Sequence, residues 1–145
     1  MTDENPAGID IANVSEWLKS RTSAEGQLHF ELVTHGRSNL TYVVSDEKDD
    51  RWVLRRPPTG HVLASAHDMG REHRIISALQ ETRVPVPDVI GMCNDESITG
   101  APFFVMSFID GHIVKDIEDS KAFSPDERRV QSESLVDVLA QLHAI

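Results

Sequence analysis

A short polar segment, residues 35–39, has the composition of a phosphate-binding loop. It reads His-Gly-Arg-Ser-Asn and lies between two segments whose alternating apolar residues predict strands. In such a loop, backbone N–H groups and the Ser38 hydroxyl can cover an anionic phosphate. An ordinary hairpin turn also favours glycine and asparagine, so the loop alone leaves both interpretations open.

Arg55 and Glu72 are candidates for an ion pair. Alternation along the segment 52–55 places Val53 and Arg55 on one face of a strand. Glu72 falls at helical spacing with three apolar residues, Ile75, Ile76 and Leu79. A buried carboxylate without a cation is costly, so Arg55 on the preceding strand is its natural partner. The alternative is a solvated Glu72 at the edge of the apolar stripe.

The segment 103–111 is a candidate for binding a flat heterocycle. It reads Phe-Phe-Val-Met-Ser-Phe-Ile-Asp-Gly. An apolar strand there leads directly into a linker that contains glycine. Exposed backbone groups at such an exit can hydrogen-bond a flat heterocycle. An ordinary core strand gives the same pattern, so this segment also has two interpretations.

The elements that must position these residues follow from periodicity. Helices are predicted over residues 11–21 and 64–80, and from Ser124 to the end of the chain. The last one begins with a capping box, Ser124 and Glu127, and has Pro125 at its first position. Strands are predicted over residues 28–33, 40–44, 51–56, 89–93 and 102–109. This order predicts an α+β domain with a five-stranded antiparallel sheet and an inserted helix.

Composition limits the class of protein. The 145 residues suit one domain, and 39% hydrophobic residues suit a globular core. A net charge of −10 disfavours nucleic acid and anionic membranes as partners. Because Cys93 is the single cysteine and the first residues lack an apolar leader, we expect a cytoplasmic protein.

Taken together, the segments resemble a known family of kinases. The resemblance rests on residues 36–42, 52–58, 66–74, 84–87 and 102–106 and covers residues 14–145. The sequence resembles the aminoglycoside phosphotransferases, most closely the branch associated with acyl-CoA dehydrogenases. The fold that this implies is the N-terminal lobe of a protein-kinase-like enzyme.

The resemblance implies a nucleotide, ATP or GTP, bound beneath the sheet. Arg55 stands where such kinases have a lysine, Glu72 would hold it, and Met106 would be the gatekeeper beside the purine. Ser38 and its loop would cover the phosphates, and the backbone of residues 107–109 would meet the base. The implied nucleotide-binding residues are Gly36, Arg37, Ser38, Asn39, Val53, Arg55, Glu72, Met106, Ser107, Phe108 and Ile109.

The family's catalytic loop is missing from this sequence. No His-Gly-Asp triplet occurs, so we expect no catalytic residue and no metal ligand in the chain. The catalytic residues, the ligands for Mg²⁺ and the site for the hydroxyl acceptor would belong to a C-terminal lobe. We therefore expect a fragment that is inactive alone, with a flexible N-terminus over residues 1–10, an N-lobe over 11–110, and a hinge linker with the first helix of the absent lobe over 111–145.

The alternative to an enzyme part is a noncatalytic α+β binding or interaction module. The C-terminal helix carries an apolar stripe, Val130, Leu135, Val138, Leu139 and Leu142, which predicts self-association. No histidine pair has zinc-ligand spacing with a third partner.

Overall fold

The fold is taken from a computed structural model, which describes residues 5–33, 39–60 and 68–145. Its helices are α1 (Ile11–Lys19), α2 (Met69–Leu79), α3 (Ile117–Ser120) and α4 (Pro125–His143). Its strands are β1 (His29–Leu32), β2 (Leu40–Ser45), β3 (Arg51–Arg56), β4 (Val89–Cys93) and β5 (Phe103–Ser107).

The five strands form one antiparallel sheet in the order β1-β2-β3-β5-β4. Helix α2 lies between β3 and β4 in the sequence and packs against β4 and β5. The predicted α+β class and the five-stranded antiparallel sheet with an inserted helix are therefore confirmed.

Two of the five strands have the predicted limits, and two others, β5 and β1, are shorter than predicted. β3 and β4 have the predicted limits. β5 was predicted to reach Ile109 but ends at Ser107, which lies opposite Trp52 near the first residue of β3. β1 is also shorter than predicted, and Phe30 is only partly buried because β1 is an edge strand of the sheet.

Helix α1 covers one face of the sheet and makes the core with it. Val14, Trp17 and Leu18 are buried, and the Trp17 ring meets Phe103 edge-on at a centroid distance of 5.0 Å. Cys93 belongs to the same core and is 3% exposed, as expected for a small apolar residue. The helix ends at Lys19, two residues before the predicted limit.

Residues 7–10 are packed against the sheet, although we expected a flexible end over residues 1–10. The Tyr42 hydroxyl donates to the Ala7 carbonyl at 2.7 Å, and the Thr99 hydroxyl donates to the Gly8 carbonyl at 2.6 Å. Ile9 is 3% exposed and joins the core. This segment is therefore part of the folded unit.

Helix α2 begins after Asp68, whose side chain accepts a hydrogen bond from the Arg71 N–H. The predicted start at residue 64 lies outside the described residues. Ile75, expected on the apolar stripe, is 55% exposed. The reason is that α2 packs mainly on β4 and β5, so only part of its surface is covered.

The C-terminal segment has the predicted capping box. The Glu127 N–H donates to the Ser124 Oγ, and the Ser124 N–H donates to the Glu127 Oε2 at 2.7 Å. α3 is a single turn that the sequence did not predict. No residue of α4 is buried. Within the described ranges, none of the helices is both long and apolar enough to cross a membrane.

Candidate functional site

The sheet has a second face that α1 does not cover, here called the open face. Antiparallel register places Thr41 opposite Arg55, Val43 opposite Val53, and Val53 opposite Met106. These five side chains are therefore neighbours on one surface. All five are partly buried, whereas Tyr42, Val44 and Leu54 on the other face are fully buried. The predicted separation of Val53 and Arg55 from Trp52 and Leu54 is confirmed.

Arg55 and Glu72 form the predicted ion pair. The Arg55 Nε donates to the Glu72 Oε2 at 2.9 Å, and Nη2 donates to Oε1 at 3.4 Å. The two side chains are 27% and 31% exposed, so the pair is partly shielded from water. The alternative, a solvated Glu72 without a cation, is excluded by this geometry.

Two more side chains hold the pair in place. The Arg55 Nη1 donates to the Thr41 hydroxyl oxygen at 2.8 Å. The Asn39 side-chain amide donates to the Glu72 Oε1 at 2.7 Å. From the sequence, Asn39 was predicted to lie in the phosphate loop and contact the ligand, and Thr41 belonged to the family motif but was not named as a site residue. A signal existed for Thr41, since it and Arg55 are equally distant from the centre of the β2–β3 hairpin loop.

Arg55 retains hydrogen-bonding capacity after these contacts. A guanidinium has five N–H donors, one on Nε and two on each terminal nitrogen. Glu72 takes two and Thr41 takes one among the described residues. One N–H on Nη1 and one on Nη2 are left, which suits an anion that offers two oxygens.

The exit from β5 borders the open face. Met106 lies on this face beside Val53. The Ser107 N–H donates to the Asp88 carbonyl at 2.8 Å, so this donor is already engaged by the chain. The Phe108 ring packs under the Arg51 guanidinium at 4.2 Å from its centroid, and Ile109 is 64% exposed.

Three of the predicted site residues, Gly36, Arg37 and Ser38, lie outside the described residues. Asn39, Val53, Arg55, Glu72 and Met106 are brought together on or beside the open face, and residues 107–109 adjoin it. A cavity of about 530 Å³ lies beside the end of β3, lined by residues that include Pro57, Met69 and Met92. Register places Met92 on the same face as Arg55, but the lining includes none of the five side chains described above.

Comparison with known proteins identifies the family. A family model described as "Phosphotransferase enzyme family" matches residues 29–145, which is most of the chain. This chain belongs to that family. The phosphotransferase family model begins at β1 and includes the sheet, the ion pair and both C-terminal helices.

Similar proteins agree with this assignment. Acyl-CoA dehydrogenase family member 10 of Mus musculus is 37% identical over 86% of this chain and 11% of its own length. Acyl-CoA dehydrogenase family member 11 of Rattus norvegicus is 33% identical over 94% of this chain and 18% of its own length. A crystal structure of a "putative aminoglycoside phosphotransferase" from Ralstonia eutropha JMP134 aligns with a TM-score of 0.73 and 28% identity.

The chain therefore spans a small part of the proteins it matches. In the Ralstonia structure the alignment covers 94% of this chain but 38% of that protein's chain. The shared fold is kinase-like, as the resemblance implied.

The described side chains around Glu72 offer few ligands for a metal ion. Mg²⁺ prefers carboxylate and other oxygen ligands. Glu72, the one carboxylate in the network, is engaged by Arg55 and Asn39. In the described part of the chain, no three histidine, cysteine or acidic side chains group as a metal site. The described side chains of this network therefore do not by themselves fit Mg²⁺.

Proposed function

We propose that this chain is the nucleotide-binding part of a phosphotransferase that moves the γ-phosphate of ATP or GTP to the hydroxyl of a small molecule. The observation that carries the proposal is Arg55 on the open face, fixed by Glu72 and Thr41 with two N–H donors left over. A phosphate offers paired oxygens to such a fork. Membership of the phosphotransferase family supports the reaction class.

Each part of the open face has a role in this proposal. The two remaining Arg55 donors contact phosphate oxygens, and their charge offsets the negative charge of the triphosphate. Val53 and Met106 provide an apolar surface for the purine. The segment 107–109 supplies backbone groups to the base edge, with Phe108 and Ile109 as the contributors because the Ser107 N–H is engaged. Gly36, Arg37 and Ser38, which lie outside the described residues, would contact the phosphates.

Catalysis itself needs groups that these 145 residues do not contain. Phosphoryl transfer depends on positioning and electrostatic stabilisation, together with a group that orients or deprotonates the attacking hydroxyl. The sequence has no His-Gly-Asp segment to provide that group. In this proposal the metal ligands and the acceptor site belong to a second lobe, and the chain alone binds nucleotide without turning it over.

The proposal also includes an organisation and a location. Residues 11–110 would act as the nucleotide lobe, and 111–145 as the hinge linker and the first helix of the second lobe. The protein would work in the cytoplasm, where ATP and GTP are supplied.

Binding of ATP and of adenosine to the chain tests the proposal. Both ligands are titrated and followed by NMR chemical shifts, which report weak binding. We expect ATP to bind more tightly than adenosine, and Arg55→Met to remove most of that difference. Arg21→Met is the matched control, because Arg21 stacks on Trp17 of α1, the helix on the other face of the sheet. Equal affinity for ATP and adenosine in the unmodified chain would refute the proposal.

Absence of turnover is measured separately. Purified chain is incubated with ATP, Mg²⁺ and hydroxyl acceptors, and product is quantified against protein concentration. We expect no transfer above background. Transfer that increases in proportion to the concentration of this chain would show that the catalytic groups are present within the 145 residues.

A further inference from the structure

The Thr41 hydroxyl contacts the nitrogen of Arg55 that Glu72 does not reach. Glu72 accepts from Nε and Nη2 on one edge of the guanidinium, and Thr41 accepts from Nη1. The two supports come from different elements, α2 and β2. A planar group held at two separated points cannot rotate about its last side-chain bonds without breaking one contact.

We infer that Thr41 is a positioning residue for Arg55, which orients the guanidinium toward the phosphates of the nucleotide. This inference rests on the proposed function of the open face. Thr41 itself would not contact the nucleotide. It determines where the two remaining N–H donors of Arg55 point.

Thr41 is well placed to act as a rigid support. It lies on β2, which is paired with strands on both sides, and its carbonyl accepts from the Val33 N–H at 2.9 Å. A β-branched side chain on a strand has few χ1 states, so its hydroxyl is held in one place. Register puts Thr41 directly opposite Arg55 on the open face.

Asn39 provides the corresponding support for the carboxylate. Its amide donates to the Glu72 Oε1 at 2.7 Å, the oxygen that also receives the longer Arg55 contact. The four side chains Asn39, Thr41, Arg55 and Glu72 thus form one connected network across β2, β3 and α2. A lysine in place of Arg55 has all three donors on a single nitrogen and cannot span both supports in this way.

The network favours a ligand with two anionic oxygens over one without phosphate. Correct orientation of two N–H donors is needed for a two-oxygen contact, whereas a neutral ligand gains nothing from it. Loss of the Thr41 support should therefore weaken ATP binding and leave adenosine binding unchanged. A purely structural role for Thr41 would affect both ligands or neither.

The experiment compares three variants of the full 145-residue chain. Thr41→Val keeps the shape but removes the hydroxyl acceptor, and Thr41→Ser keeps the hydroxyl. Thr82→Val is the matched control, since the Thr82 hydroxyl donates to the Leu79 carbonyl at 2.7 Å and accepts from the Val84 N–H, so its hydrogen bonds within the described residues involve neither Arg55 nor Glu72. Affinities for ATP and adenosine are measured by NMR titration, and the thermal transition of each variant verifies its folding.

We expect Thr41→Val to reduce the ratio of ATP to adenosine affinity by about tenfold, the effect of one charge-assisted hydrogen bond. Thr41→Ser should recover most of the ratio, and Thr82→Val should not change it. If Thr41→Val fails to fold, Thr41→Ala takes its place, with the same expected loss.

The outcomes separate this inference from the function on which it rests. If the unmodified chain prefers ATP and Thr41→Val retains the full preference, the positioning role is wrong and the proposed function stands. If the unmodified chain has no preference for ATP, the proposed function fails and the inference fails with it. Equal weakening of both ligands by Thr41→Val would assign Thr41 a structural role only.

Discussion

Arg55 links the stability of the sheet to the chemistry proposed for it. Its side chain is only 27% exposed, so its charge needs a partner, and Glu72 supplies one at 2.9 Å. The same contact leaves donors for a ligand. Stability and function at this position can be separated by substitution, because the ion pair contributes to both and the ligand contact to only one.

The first prediction concerns the coupling between Arg55 and Glu72. We expect Glu72→Ala to lower the free energy of unfolding by roughly 1–3 kcal/mol, between the values for exposed and buried ion pairs. The double variant Arg55→Met, Glu72→Leu should recover part of this loss, because both charges are removed together. Chemical denaturation of the four proteins gives the coupling energy.

An exposed ion pair in the same chain serves as the control for that cycle. Lys48 and Glu25 lie 2.8 Å apart, but their side chains are 59% and 64% exposed. Their coupling should be smaller, about 0–1 kcal/mol. A coupling of zero between Arg55 and Glu72 would mean that the contact does not form in solution.

The sequence predicted this ion pair but not its supports. The alternation of β3 and the helical spacing around Glu72 are local patterns, and they placed Arg55 and Glu72 correctly, although Ile75 on the same predicted stripe is exposed. The contact between Thr41 and Arg55 depends on the register of β2 against β3, which alternation within a single strand does not reveal. Asn39 donates to Glu72 on a helix 33 positions away in the sequence, a contact that no local pattern reveals, and its predicted contact with a ligand stays a prediction.

The β2–β3 hairpin is the element that sets this register, and Asp46 organises its loop. Asp46 is 4% exposed, and its carboxylate accepts from the backbone N–H groups of Glu25, Lys48 and Asp50 at 2.8–3.1 Å. Burial by itself would raise the pKa of Asp46, but the three N–H donors and the nearby Lys48 charge lower it below its ordinary value.

The second prediction follows from the direction of that pKa shift. Because the folded state lowers the pKa of Asp46, its stabilising contribution is complete above the ordinary value of 3.8 and is lost as the pH falls through the lowered value. Asp46→Asn should be less stable than the unmodified chain at neutral pH, and the difference should shrink in acid. Denaturation curves from neutral pH to pH 2 measure it. A difference that stays constant with pH would contradict this role for the carboxylate.

The end of β5 and the exposure of Ile75 differ from the sequence prediction because contacts between distant parts of the chain determine them. β5 ends where its partner strand begins, so its apolar sequence up to Ile109 overestimates its length. Ile75 has helical spacing with the partly buried Ile76 and Leu79, yet it is 55% exposed because α2 packs mainly on β4 and β5. Periodicity identifies which residues share a face, but the area of the surface beneath decides how many of them are covered.

At the scale of the whole molecule, α4 carries exposed apolar side chains that no other described element covers. Five of its apolar side chains are 40–63% exposed: Val130, Leu135, Val136, Leu139 and Leu142. Clustered exposed apolar residues of this kind favour association with another surface. Val138, predicted on the same stripe, is only partly exposed.

The third prediction is that the chain self-associates through α4. Light scattering at increasing protein concentration should give a mass above that of the 16.2 kDa monomer. Leu135→Gln with Leu139→Gln should return the mass toward the monomer, because these substitutions make the exposed surface polar. Ile75→Gln on α2 is the control for loss of one exposed apolar side chain and should leave association unchanged. A monomeric mass at every concentration would contradict the prediction.

The central claim is that the open face of the sheet is the face that binds the nucleotide. Methyl NMR spectra of the chain during titration with Mg·ATP test it most directly, since adjacent residues on a strand report opposite faces. We expect the methyl signals of Val43, Val53 and Met106 to shift, whereas those of Val44 and Val105 on the core face should not. Shifts confined to the core face or to Met69 beside the cavity, with Val53 and Met106 unmoved, would contradict it.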